Sequence, residues 1–97
     1  MRVLLKATMD TEKSTAALQE GKIQRTFQDV MGELQPEAAY FYPENGRRTC
    51  LMVFDMEDPS QLPSVTEPFF TIAGADVSVT PVMNAEDMQK GVQQAFG

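Results

Sequence analysis

Four side chains that could hold or orient a polar molecule fall in strand-like parts of the sequence: Lys6, Tyr40, Tyr42 and Asp55. A lysine ammonium stabilises a developing oxyanion, and a tyrosine hydroxyl can orient a carbonyl or a phenol. The same residue types are common where two subunits meet, since aromatic side chains are enriched in such contacts. On that second interpretation Lys6 and Asp55 form a salt bridge at the subunit interface, and the tyrosines pack at the same contact. It is the simpler of the two, and both stay open.

The residues that carry the commonest catalytic and metal chemistry are scarce in this chain. There is no histidine, and Cys50 is the single cysteine. Histidine is the usual general base at neutral pH and a frequent metal ligand, and one cysteine cannot build a zinc site. Phosphate-binding glycine motifs are absent too. We therefore expect no cofactor and no metal site, and we predict that Cys50 is a small buried core residue.

Charge and composition exclude several classes of partner. Eight Lys and Arg stand against fourteen Asp and Glu, which gives a formal net charge of −6. Neutralising phosphates takes clustered cations, so we expect no nucleic acid and no anionic membrane surface as partner. The opening MRVLLKATMD has too short an apolar run for a signal peptide, and a lone cysteine is typical of a reducing compartment. We expect a cytoplasmic protein.

The elements that must position these side chains follow from periodicity and from turn residues. A single domain over residues 1–97 accommodates a strand, a helix, two strands, a second helix, a strand and a terminal helix. The predicted bounds are a strand over Arg2–Met9, a helix over Thr11–Leu34 that Gly21 interrupts and Pro36 ends, strands over Ala38–Tyr42 and Thr49–Met56, a proline-broken helix over Pro59–Ile72 closed by Gly74, a strand over Asp76–Met83, and a helix capped by Asn84. This order predicts an α+β, ferredoxin-like βαββαβ sandwich with a four-stranded antiparallel sheet and an added C-terminal helix.

The register of the middle hairpin follows from its turn. Asn45-Gly46 is a preferred centre of a type I′ turn, so Phe41 should lie opposite Cys50 and Tyr40 opposite Leu51. Alternation then divides the sheet into two faces. We expect the helix-covered face to carry Val3, Leu5, Ala7, Met9, Phe41, Cys50, Met52, Phe54, Val77 and Val79.

The opposite face should lack a helix, yet it is richer in apolar groups than a solvated sheet surface. Exposed apolar patches of this kind often mark an interface or a ligand groove. Its members, with Leu4, include the candidate ligand-cavity residues Lys6, Thr8, Tyr40, Tyr42, Leu51, Val53, Asp55, Ser78 and Thr80. We expect two copies to pack sheet to sheet and to leave a partly polar cavity between them.

Several segments together resemble a known group of proteins. These are the opening MRVLLKATMD, the hairpin strand RRTCLMVFDM, the helix start EDP and the closing strand DVSVTPVMN. In them the chain resembles the dimeric α+β barrel superfamily, and in particular its small stand-alone members with no characterised activity. The resemblance implies a homodimer more than any reaction, because the superfamily includes quinol-type monooxygenases, lactone isomerases, haem-handling enzymes and proteins without known chemistry.

Three functions therefore remain open. The first is a small cytosolic dimeric α+β barrel that binds a small apolar or aromatic molecule, or serves as a non-catalytic dimeric module. The second, implied by the resemblance, is a cofactor-independent monooxygenase or isomerase acting on an aromatic, quinol or lactone-like compound. The third is an interaction module that uses an exposed strand edge or the terminal helix around Met88 and Phe96.

Overall fold

The structure, a computed structural model, describes all residues from 1 to 97. The chain forms four strands and four α-helices. They are β1 (Arg2–Thr8), α1 (Thr11–Gln19), α2 (Lys22–Leu34), β2 (Ala38–Glu44), β3 (Arg47–Asp55), α3 (Leu62–Ala73), β4 (Asp76–Pro81) and α4 (Ala85–Phe96), with a short 3₁₀ turn over Pro59–Gln61 before α3.

The strands form one antiparallel sheet in the order β2-β3-β1-β4. This confirms the predicted α+β, ferredoxin-like architecture. The hairpin register is also as predicted, with Phe41 opposite Cys50 and Tyr40 opposite Leu51. Asn45 and Gly46 both have positive φ, 52° and 75°, which a type I′ turn requires.

The helical region after β1 is divided in two at Gly21. Asp10 caps α1 by accepting a hydrogen bond from the Lys13 backbone N–H at 2.8 Å. Gly21 then adopts φ 73°, a left-handed conformation that glycine takes without the strain a side chain would add. The predicted interruption is therefore a full break, and α2 begins one residue later and ends before Pro36.

The proline-rich region after β3 forms a 3₁₀ turn and then α3. The Asp58 carboxylate accepts a hydrogen bond from the Ser60 backbone N–H there, and the Gln61 side chain accepts one from the Asp58 backbone N–H. Pro68 lies inside α3 without ending it, and Gly74 closes it in the left-handed conformation with φ 55°. The following strand is shorter than predicted, because β4 ends at Pro81.

Helices α1, α2 and α3 cover one face of the sheet and enclose the core with it. The strands contribute Val3, Leu5, Ala7, Cys50, Met52 and Phe54, and the helices contribute residues such as Val30 and Phe69. Phe41 was predicted in this core, but it is 53% exposed. It lies on edge strand β2, where its ring packs at 5.3 Å from Phe27 and the outer side stays uncovered.

Helix α4 lies apart from this core. Asn84 caps it as predicted, exchanging hydrogen bonds with Asp87, but no residue of the helix is buried. The molecule measures 54 × 28 × 18 Å with a radius of gyration of 15.3 Å, against about 12.5 Å for a compact chain of this length. None of the helices has the length and apolar character needed to cross a membrane.

Candidate functional site

The sheet face that no helix covers, here called the open face, can be described in rows across the strands. Directly paired residues of antiparallel strands have neighbouring side chains on one face. The rows run Ala38–Val53–Leu4–Thr80, then Tyr40–Leu51–Lys6–Ser78, then Tyr42–Thr49–Thr8–Asp76. The structure thus places all predicted cavity residues except Asp55 in three adjacent rows.

A polar cluster lies at the hairpin end of the open face. Lys6 forms an ion pair with Glu44, and the Tyr42 hydroxyl donates a hydrogen bond to the other oxygen of the same carboxylate at 3.1 Å. Lys6 and Glu44 lie on non-adjacent strands and in different rows. Both side chains are long, and the twist of the sheet brings them toward each other. The Glu44 carboxylate therefore binds both the Lys6 ammonium and the Tyr42 hydroxyl.

The pKa shifts in this cluster follow from these contacts. Hydrogen bonding to Glu44 raises the pKa of Lys6, and the same bond with Lys6 lowers the pKa of Glu44. Desolvation is the main cause that raises the pKa of Tyr42, and its bond to Glu44 adds to it. At neutral pH the cluster therefore holds an ammonium, a carboxylate and a protonated phenol. Such a site suits the binding of a polar group better than proton abstraction, since Glu44 is a weakened base.

Within one chain, Lys6 and Asp55 do not form the predicted ion pair. Asp55 pairs with Arg2 in the strand register, whereas Lys6 pairs with Leu51, four residues away along β3. The Lys6 ammonium instead pairs with Glu44, toward the hairpin end of the face. Asp55 instead accepts a hydrogen bond from the Met1 amino group at 2.6 Å.

Asp55 belongs to a second polar group at the other end of the open face. There Arg2 lies between two carboxylates, Glu37 and Asp87, and bonds the latter at 2.9 Å. These side chains line a polar depression of about 570 Å³. Because Asp87 is in the first turn of α4, this ion pair fixes the start of that helix at the corner of the open face.

Apolar side chains occupy the middle of the open face between the two polar ends. Leu4, Leu51 and Val53 are each half-buried, although no helix lies over them. Tyr40, at the β2 edge, is 66% exposed. The face therefore combines an apolar centre with hydrogen-bonding groups at both ends, an arrangement typical of small-molecule sites and of subunit contacts.

An apolar groove of about 280 Å³ opens on the other side of the hairpin. It lies between the helices and the β2 edge, where Phe41 is exposed. Its apolar lining is Met9, Leu18, Ile23, Phe27, Phe41 and Pro43, and Tyr42, Arg48 and Thr49 complete it. The predicted cavity residues, apart from Tyr42, take no part in this groove.

Comparison with known proteins assigns the chain to a family. The family described as Domain of unknown function (DUF3303) matches residues 4–96. The chain belongs to this family. No curated protein sequence matches it. Among solved structures, it is similar to the uncharacterized protein TM1266 from Thermotoga maritima, with 16% identity and a TM-score of 0.52, over 84% of this chain and 95% of that one. At this identity the likeness supports the ferredoxin-like fold alone, and no specific function follows from either match.

Sequence reasoning missed two residues that organise the open face of this DUF3303 chain. Glu44 was not among the predicted cavity residues, yet it is the centre of the Lys6–Tyr42 cluster. Continuing the alternation from Tyr40 and Tyr42 by one more step would have placed it on this face. Arg2 was treated only as the start of a strand, and its two acidic partners come from distant parts of the sequence.

Proposed function

We propose that this DUF3303 protein is a homodimer that packs through its open faces and binds a small aromatic or apolar molecule between them. The observation that carries the proposal is the composition of the open face, in which half-buried Leu4, Leu51 and Val53 adjoin the cluster of Lys6, Tyr42 and Glu44. A second sheet would remove the apolar centre from water. The polar cluster would stay available to a ligand's hydroxyl or carbonyl.

The charge state of the cluster supports binding as its main role. The Lys6 ammonium and the Tyr42 hydroxyl are donors whose common acceptor is Glu44. A ligand hydroxyl or carbonyl can join this network without leaving a charge unpaired, which avoids the desolvation penalty of an isolated ion. The neighbouring Leu51 supplies an apolar contact for a ring. The proposal locates this dimer in the cytoplasm, in keeping with the lone cysteine.

Leu51→Lys tests the dimer. Like charges brought face to face disfavour association, so we expect sedimentation velocity to show a dimer for the original chain and a monomer for this variant. Thr71→Lys, which adds the same charge to the exposed surface of α3, is the matched control and should stay dimeric. Monomeric behaviour of the unsubstituted chain at high concentration would refute the dimer.

Nuclear magnetic resonance tests the ligand site. With 2-naphthol as the probe, we expect backbone shift changes at Lys6, Tyr42 and Leu51 and little change in α3. Tyr42→Phe should weaken binding by about tenfold, which is the effect of losing one hydrogen bond of about 1.4 kcal/mol. Shift changes confined to the groove beside Phe41 would place the binding elsewhere and contradict the proposed cavity.

A cofactor-independent monooxygenase or isomerase is the second candidate, favoured by the Lys6 ammonium on the open face. A cation beside a bound phenol stabilises the phenolate that forms when its proton is lost. Oxygen consumption with a naphthohydroquinone, or isomerisation of an unsaturated lactone, would show the activity. Lys6→Met should abolish it while the dimer remains. A fully active Lys6→Met variant would exclude this role for the lysine.

A further inference from the structure

Helix α4 carries an apolar stripe that its own chain leaves uncovered. Met88, Val92 and Phe96 recur at four-residue steps and therefore lie on one face of the helix. All three are exposed, and Phe96 reaches 87%. The contact that holds α4 to the sheet is the Arg2–Asp87 ion pair in its first turn. No residue of the stripe is buried against its own chain.

A helix of this kind depends on a partner for its stability. Isolated helices shorter than about 12 to 15 residues are marginal in water, and most helical stability in proteins comes from packing of an amphipathic face. α4 has 12 residues and includes Gly91, which further weakens it. The helix therefore indicates a surface outside its own chain that receives Met88, Val92 and Phe96.

The groove beside Phe41 has the chemistry to receive this stripe. It is lined by apolar side chains, and its volume of about 280 Å³ is sufficient for two large side chains. The rings of Phe27 and Phe41 form one wall, and Phe41 presents an exposed edge against which another aromatic ring can pack. No segment of the same chain fills the groove.

Charge at the rim of the groove complements the end of α4. Arg48 lines the groove and donates hydrogen bonds to Ser14 Oγ and Thr15 Oγ1 at 2.8 and 2.9 Å, and it forms no ion pair. The last turn of α4 contains no basic residue to offset the partial negative charge of its carbonyl groups. An incoming α4 with Phe96 in the groove would bring those carbonyls beside the free charge of Arg48.

The dimensions of the sheet and helix fit such an exchange between two copies. Sheets that pack face to face lie about 10 Å apart, and α4 is about 18 Å long, so a helix that starts at the corner of one sheet can pass the edge of the partner's sheet to the groove on its far side. The open face itself measures about 440 Å², whereas a stable interface takes about 800 Å² from each partner. Exchange of two α4 helices would supply the missing area.

From these observations we propose that α4 of one protomer docks into the groove beside Phe41 of a second copy, with Phe96 against Phe27 and Phe41 and the helix end beside Arg48. This inference rests on the proposed homodimer and adds to it a second contact, an exchanged helix. The same contact explains why α4 is amphipathic although its own chain does not cover the apolar stripe.

Disulfide trapping tests the contact. In a Cys50→Ala background, chains carrying Phe96→Cys are mixed with size-tagged chains carrying Phe41→Cys and are oxidised. Docking should raise the rate of mixed disulfide formation about a hundredfold over random encounter. The control pairs Phe96→Cys with Phe70→Cys, because Phe70 is also an exposed phenylalanine but lies on α3 outside the groove.

The outcomes separate this inference from the proposed function. A preferred Phe96–Phe41 disulfide supports the docking. Equal rates for Phe41 and Phe70 overturn it, while the open-face dimer stands if Leu51→Lys still dissociates the protein. If the trapped pair forms and Leu51→Lys stays dimeric, the open-face interface fails and the helix exchange survives. Circular dichroism of each variant confirms that the sheet is folded.

Discussion

The two faces of the sheet are made from the same strands and are stabilised in different ways. On the helix-covered face, Leu5, Ala7, Cys50 and Met52 are fully buried and belong to one apolar cluster. On the open face, Lys6, Tyr42 and Glu44 are half-buried and hold one another through an ion pair and a hydrogen bond. The covered face excludes water, whereas the open face retains polar groups with directional bonds. The second arrangement is the one that can exchange its internal contacts for contacts with a ligand.

The pKa shifts on the two faces differ in the same way. Burial alone raises the pKa of the Cys50 thiol, to about 11, on the covered face. On the open face, hydrogen bonding to a charged partner is the largest cause for both Lys6 and Glu44. Burial keeps the Cys50 thiol protonated at neutral pH, whereas a shift caused by a charged partner changes when a ligand engages that partner. This distinction makes the open face the better candidate for function.

The largest expected difference between the faces concerns stability. Phe54→Ala should lower the free energy of unfolding by about 3 to 5 kcal/mol, because Phe54 is almost fully buried and leaves a cavity. Leu51→Ala, on the same strand but the open face, should cost about 1 kcal/mol or less in the monomer. Urea unfolding measures both. A loss for Leu51→Ala that grows with protein concentration would show that a second copy covers this face. Equal losses at low concentration would contradict the comparison.

The sequence was sufficient for the covered face and for the order of elements. Apolar alternation in β1 and β3 identified Leu5, Met52 and Phe54 as core, and Asn45-Gly46 set the hairpin register. These features are local or follow from a two-residue period, so one sequence contains them. The helix break at Gly21 and the helix end at Gly74 were predictable for the same reason, since glycine adopts a left-handed backbone conformation without steric strain.

The sequence predicted which residues lie on the open face, but it did not predict which of their side chains contact one another. Alternation assigned Lys6, Tyr42 and Asp55 to it, yet within one chain Lys6 pairs with a residue that alternation did not indicate. The actual partner, Glu44, reaches Lys6 through the twist of the hairpin and the length of both side chains, and no periodic pattern encodes those. The prediction that Phe41 is buried was also wrong, because its exposure depends on how far the helices extend over the β2 edge.

The next largest effect is a loss of stability at alkaline pH due to Cys50. Its pKa in the folded protein is about 11, above the ordinary value of 9.0, so the stabilisation is fully present below pH 9. It is lost as pH rises from 9 to 11, because the unfolded chain ionises first. The loss amounts to about 2 to 3 kcal/mol by pH 11. Urea unfolding at a series of pH values should show it in the original chain and not in Cys50→Ala. The same pH dependence in both chains would assign the loss to other groups.

The smallest expected effect lies on the open face and concerns Tyr42. Its pKa is raised first by desolvation and then by the hydrogen bond to Glu44, while Lys6 lowers it. Glu44→Gln removes the negative charge and leaves Lys6 uncompensated, so the pKa of Tyr42 should fall. Lys6→Met should move it in the opposite direction. Ultraviolet titration of tyrosinate in a Tyr40→Phe background, where Tyr42 is the one remaining tyrosine, measures both shifts. If neither variant moves the pKa of Tyr42, desolvation alone sets it. The pKa of Tyr42 on the open face would then be shifted by burial, as that of Cys50 is on the covered face.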